Sequence, residues 1–146
     1  MLGTNHVLSG ALIGARARGP GQAFALGVAS HFALDAVPHY GNWRNRQHFL
    51  QVAVRDGLTG LAVMGAITAI APVGRRLTVL AGMAGAALPD IDKPSRLVFG
   101  RSPWPRFVDQ FHSGIQRESL DLAPVEVATA AIFGSAALTT LLRQRG

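Results

Sequence analysis

Apolar and polar residues fall along this chain in long blocks, with no strict alternation, and the lengths and composition of the apolar blocks predict helices. Five apolar segments stand out, separated by arginine pairs and by proline and glycine. The first runs from about Asn5 to Ala15, with Thr4 or Asn5 as its N-cap, and stops at the Arg16, Arg18, Gly19, Pro20 break. The second covers about Gln22 to Ala36 and ends before Pro38, which disfavours helix at Val37. The third runs from about Gln51 to Ala71, the fourth from about Arg75 to Leu88, and the fifth from about Pro124 to Leu142, each beside a proline.

A bilayer takes about 20 residues of helix, which the third and fifth segments reach and the second approaches. Composition points the same way. Of 146 residues, 49% are hydrophobic and only 15% charged, with a mean hydropathy of +0.26; an ordinary soluble domain carries about 25% charged residues. The expectation is a single all-α domain over residues 1–146: a membrane-embedded bundle of about five apolar helices with a polar loop region at the site. No Lys or Arg precedes the first apolar run, which favours a retained helix over a cleaved leader. Gly10 and Gly14 have the spacing of closely packed membrane helices, read here as general tight packing.

The net charge of +6 is an arginine excess, Lys93 being the sole lysine. The arginines lie in short pairs between apolar segments, where membrane proteins meet anionic headgroups, so membrane lipids are the expected partners. No basic stripe with interleaved aromatics suggests nucleic acid. The absence of cysteine excludes disulfides, thiolate metal sites and cysteine nucleophiles.

If each segment crosses and the next returns, the chemistry collects at one end. The chain leaves from His6 and returns with His31, Asp35 and His39. It departs again past Asp56 and returns to Asp90 and Asp92, entering a polar stretch over residues 93–121 that holds Asp109, His112 and Glu118. The opposite end carries only arginines.

In SHFALDAVPH, His31 and Asp35 are spaced i, i+4 on one helix face, with His39 just past Pro38. Such a pair can bind one divalent ion, or the carboxylate can orient the imidazole; a helix-end hydrogen-bonded cap is the equal alternative. In LPDIDKPS, an extended turn would point Asp90 and Asp92 the same way and concentrate negative charge, a cation site or a solvated turn. Asp56 opens the third helix as ligand or as a favourable N-terminal charge. His112 is read as a ligand, Asp109 and Glu118 as surface charges, and His48, among Arg44, Arg46 and Gln47, as a bystander. His6, near the start of an apolar helix, is ionisable where that is costly and is read as functional. The candidate metal ligands are thus His6, His31, Asp35, His39, Asp56, Asp90, Asp92 and His112, with Asp56 and Asp90 as the catalytic carboxylates. Imidazole and carboxylate ligation without thiolate suits a divalent metal, zinc first and then manganese or iron. Such an ion lowers the pKa of a bound water, and a second would stabilise a leaving oxygen, so hydrolysis is the expected chemistry.

These strings resemble the bacterial inner-membrane, LexA-regulated family of membrane-bound metal-dependent hydrolases. The shared elements are the early His6, the LPDIDKPS string with Asp90 and Asp92, FHS with His112 and Ser113, and SHFALD with His31 and Asp35. They touch most of the chain, although here SHFALD precedes LPDID and FHS carries one histidine where the family has two. The resemblance implies a multi-pass inner-membrane hydrolase. A more distant likeness to the zinc-dependent phospholipase C fold implies lipid-linked or phosphoester substrates. The alternatives from the residues are an ion- or proton-handling transporter, and a non-catalytic membrane scaffold whose polar groups satisfy one another.

Overall fold

The computed structural model describes residues 1–41 and 45–145; Arg44 falls outside them. Helices dominate, as the apolar blocks predict: α1 (Gly3–Arg16), α2 (Pro20–Asp35), α3 (Arg46–Ile70), α4 (Arg76–Ala87), α5 (Asp92–Phe99), α6 (Arg106–Ile115) and α7 (Ala123–Arg143). Two short strands, β1 (His39–Tyr40) and β2 (Glu118–Ser119), pair in parallel and join the end of α2 to the start of α7. Residues 93–121, expected as loop, contain α5 and α6. Gly100, at φ 72°, ends α5 in the left-handed conformation that glycine adopts without strain.

Helix α1 lies at the centre, packed on α2, α3, α4 and α7. The closest packing is among α1, α2 and α4, and glycine is the reason. A Cβ on Gly10 would collide with the Gly82 carbonyl and one on Gly82 with the Gly10 carbonyl; Gly27 meets the same Gly82 carbonyl, and Gly85 that of Phe24. Only missing side chains allow backbones to touch in this way. Gly10 and Gly14 therefore serve packing inside the chain, against α4. Around this contact sit buried Val7, Ala11, Ala15, Val79, Met83, Ala137 and Leu141.

The ends of α1 are held by charge. At its N-terminus neither Thr4 nor Asn5 caps; the cap residue is Leu2, without a side-chain bond. Two acids from other helices accept instead. Asp56 of α3 takes the Gly3 and Thr4 amides at 2.7 and 3.2 Å, and Glu126 of α7 takes the Leu2 amide at 3.1 Å. At its C-terminus Arg75 Nη2 donates to the carbonyls of Gly14, Ala15 and Ala17 at 3.0, 2.7 and 2.8 Å. Arg76 does the same for Ala69 and Ala71 at the end of α3. Anions at N-termini and cations at C-termini satisfy both the helix dipole and the unpaired backbone groups. These two arginines, expected at headgroups, are occupied with helix ends.

Among the described residues two helical runs are long and apolar enough to cross a membrane: Arg46–Ile70, with an 18-residue window of mean hydropathy 1.3, and Leu120–Arg143, a 3-10 turn continuous with α7, with 1.6. The five spans expected from sequence are not all of that kind, because α1, α2 and α4 have 14, 16 and 12 residues. The 18-residue apolar windows of the two long helices are only 6% and 17% buried. Leu58 and Leu61 of α3 and Val127 and Ile132 of α7 face outward, exposed.

Candidate metal centre

Three elements meet at the polar end of the bundle. α2 contributes His31 and Asp35 one turn apart near its C-terminus, the 3-10 turn Leu88–Ile91 after α4 contributes Asp90, and α6 contributes His112. One ligand atom from each lies within 4.8 Å of all the others. His31 and Asp35 are fully buried, and His112 is the sole buried residue of α6.

The separations test whether these atoms suit a metal ion. Tetrahedral zinc with bonds of about 2.0–2.1 Å sets its ligand atoms about 3.3 Å apart. Asp35 Oδ2 stands 3.2 Å from His31 Nε2 and 2.9 Å from His112 Nε2, and the two Nε2 atoms are 3.0 Å apart. Asp90 Oδ1 lies 3.6 Å from both imidazoles. These five separations lie near the edge of a tetrahedron and all four ligand atoms lie within 4.8 Å of one another, so the four groups could hold one small cation.

Orientation supports the fit. His31 Nδ1 is 2.7 Å from the carbonyl oxygen of Ala86, which can only accept, so Nδ1 carries the proton and Nε2 presents its lone pair to the cluster. Fixing a ligating imidazole through its other nitrogen is the usual support of a metal site. That carbonyl sits on α4, where Gly82 and Gly85 bring the backbone against α1 and α2. Gln116 Nε2 donates to Asp35 Oδ2 at 3.2 Å, adding a neutral donor beside the ligands. Asp90 also meets Lys93 Nζ at 2.7 Å. Burial disfavours both charges, yet their attraction outweighs it, holding the Asp90 carboxyl below and the Lys93 ammonium above their ordinary values.

His6 lies beside the cluster, stacked on His31 with ring centroids 3.9 Å apart and Nε2 3.0 Å from Asp35 Oδ1. The Met1 amino group lies 2.7 Å from the same oxygen. His39 is fully buried, its Nδ1 donating to the Val37 carbonyl at 2.7 Å, but it stands outside the four-group cluster, with Nε2 3.9 Å from Glu118 Oε1. His48, read as a bystander, sits in the first turn of α3, where its amide is capped by Asn45 at 2.9 Å.

Besides His39, two further expected ligands are placed elsewhere. Both oxygens of Asp56 are bonded to the first turn of α1, including Thr4 Oγ1 at 2.6 Å, so this acid acts as a helix cap. Asp92 does not parallel Asp90, because LPDID forms a 3-10 turn running into α5 and not an extended segment; Asp92 Oδ2 lies 3.5 Å from Arg96 Nε. Asp109 is bound by Arg96 at 2.6 Å and by Ser102 at 2.8 Å. Glu126 is a functional residue that the sequence motifs miss, although a lone acid in an apolar segment is its signal. Buried, it holds Asn5 Nδ2 at 2.6 Å and the Tyr40 amide at 3.1 Å, tying α7 to α1 and β1.

No protein-family model, curated protein or solved structure matches this chain. What the site can do rests on its own geometry. A buried group of two imidazoles and two carboxylates, with Asp90 slightly exposed, can hold a divalent cation.

Proposed function

We propose that this protein is a membrane-bound, divalent-metal-dependent hydrolase, zinc being the best-suited ion, acting on a lipid-linked or phosphoester substrate. The observation that carries the reading is the convergence of His31, Asp35, Asp90 and His112 at the spacing of a tetrahedral ligand set, with the His31 lone pair fixed by Ala86. When bound, such a cation supplies Lewis acidity and lowers the pKa of water beside it. Asp35 and Asp90 offset its charge, Lys93 offers a positive group next to Asp90, and Gln116 can hold a polar substrate atom near Asp35. A metal centre is favoured over a scaffold because the His31 lone pair, fixed by the Ala86 carbonyl, would otherwise face the Asp35 carboxylate 3.2 Å away in a buried site.

Membrane attachment is supported by the two long apolar helices. The core helix of a water-soluble protein is mostly buried, whereas α3 and α7 turn their apolar faces outward. A lipid-like substrate is supported by a cleft of about 660 Å³ between α3 and the α4–α5 region, lined mainly by apolar groups such as Leu58, Leu61, Met64 and Leu97 and reaching Asp90 and Lys93. An acyl or isoprenoid chain in this cleft would bring its headgroup to the metal ligands. The bacterial inner membrane implied by the family resemblance is the corresponding location.

Elemental analysis of full-length protein purified in detergent tests the centre. At least one zinc, manganese or iron per chain is expected, with loss in His31→Ala and Asp35→Ala. Metal-free protein that takes up no ion on titration, or variants that keep the full complement, would refute the reading.

A further inference from the structure

The two oxygens of Asp35 face different partners. Oδ2 meets His31 Nε2 and His112 Nε2, the atoms of the four-group cluster, at 3.2 and 2.9 Å. Oδ1 turns away toward His6 Nε2 at 3.0 Å. His6 is fully buried, and neither of its ring nitrogens has a hydrogen-bond partner among the described residues; the approach to Oδ1 lacks hydrogen-bond alignment. A buried polar atom left so is rare and calls for an explanation, a bound ion being one. The Met1 amino group lies 2.7 Å from the same Oδ1.

Building on the mononuclear reading above, we infer that the centre is dinuclear. Asp35 bridges a first divalent cation, held by Oδ2, His31, His112 and Asp90, and a second held by Oδ1 and His6, both transition-type ions such as zinc or manganese. The ring stacking sets the scale. His6 and His31 lie 3.9 Å apart with their planes within 24°, so two near-parallel imidazoles presenting Nε2 to the two oxygens of one carboxylate would place their ions about 4 Å apart. Paired ions in two-metal hydrolytic sites stand about 3.5–4 Å apart, one beside the attacking and one beside the leaving oxygen. His6 enters from α1 and His31 from α2, whose backbones are both fixed against Gly82. The bridge therefore rests on close backbone packing of α1 and α2 against α4.

The test uses the full chain in detergent, stripped of metal and titrated with Zn²⁺ or Mn²⁺ alone. Two ions per chain are expected in the native protein and one in His6→Ala, and the paramagnetic resonance of the two-Mn²⁺ form should show exchange coupling. One ion per chain in the native protein overturns the dinuclear inference and leaves the mononuclear centre standing; none overturns both. Two ions in a folded His6→Ala removes His6 from the site, and two uncoupled Mn²⁺ signals remove the Asp35 bridge. If His6→Ala fails to fold, stoichiometry and coupling in the native chain decide.

Discussion

Replacing His112 with alanine should release α6 while leaving the glycine-packed bundle in place. Helix α6 has one buried residue, and that residue is His112. Its Nε2 donates to the buried Asp35 carboxylate at 2.9 Å, and its ring meets Phe32 edge to face at 5.6 Å. A hydrogen bond to a charged group contributes about 1.5–3 kcal/mol, and an aromatic edge contact about 0.5–1.5 kcal/mol. Together they stabilise the docked helix by about 2–4.5 kcal/mol, so local opening in metal-free protein should become roughly 30- to 2,000-fold more frequent, at 1.36 kcal/mol per decade. Two ties survive the substitution, Gln116 to Asp35 at 3.2 Å and Phe111 against Phe32 at 5.4 Å, and they keep the effect from being larger. Amide hydrogen exchange resolved by peptide, with the protein in detergent micelles, is the assay. Protection should fall across 106–115 and stay unchanged in α1 and α4. Adding zinc to the native protein should slow exchange in α6 further, and in His112→Ala it should not. Unaltered α6 exchange, or an equal rise in every helix, would show that the imidazole is no tether and would refute the reasoning.

Gly82→Ala should destabilise the fold by about 1–3 kcal/mol through overpacking, because its Cβ meets the Gly10 carbonyl and lies 3.1 Å from Gly14 N; thermal unfolding in detergent measures it against Gly57→Ala, which has nothing within 4 Å and should not lose stability. Glu126→Ala should cost about 1–3 kcal/mol by removing the carboxylate acceptor of the Leu2 and Tyr40 N–H groups and one of the two acceptors of the buried Asn5 amide, which keeps the residue-126 carbonyl, with Glu126→Gln intermediate, read from denaturant midpoints. For Asp90 and Lys93, the carboxyl is lowered from its ordinary 3.8 and the ammonium raised from 10.5. Their mutual stabilisation is thus present above the first value and lost as pH falls through the folded carboxyl pKa, and present below the second and lost as pH rises through the folded ammonium pKa. Lys93→Met should accordingly lower the stability of metal-free protein by a constant amount of up to about 1 kcal/mol between about pH 5 and 9. A difference between native and Lys93→Met unfolding midpoints that varies strongly within that range would contradict the pairing.

Much of this molecule is decided by local sequence. Long apolar blocks ending at proline, glycine and arginine can form only helices, and the i, i+4 spacing puts His31 and Asp35 on one face before any tertiary contact exists. Simple alternation of direction places His6, His31, Asp35, Asp90 and His112 at a common end, and that is where the structure has them. Which acids point inward is another matter. Asp56, Asp90 and Asp92 look equivalent in the chain, yet one caps α1, one faces the imidazoles and one lies beside Arg96. That difference follows from the rotation and axial offset of each helix, set where the glycines of α1, α2 and α4 let backbones touch, and from the 3-10 turn that separates Asp90 from Asp92. Periodicity along a single helix carries no information about its neighbour's offset. The same holds for Glu126 and Ala86, whose roles exist only once α7 and α4 have docked.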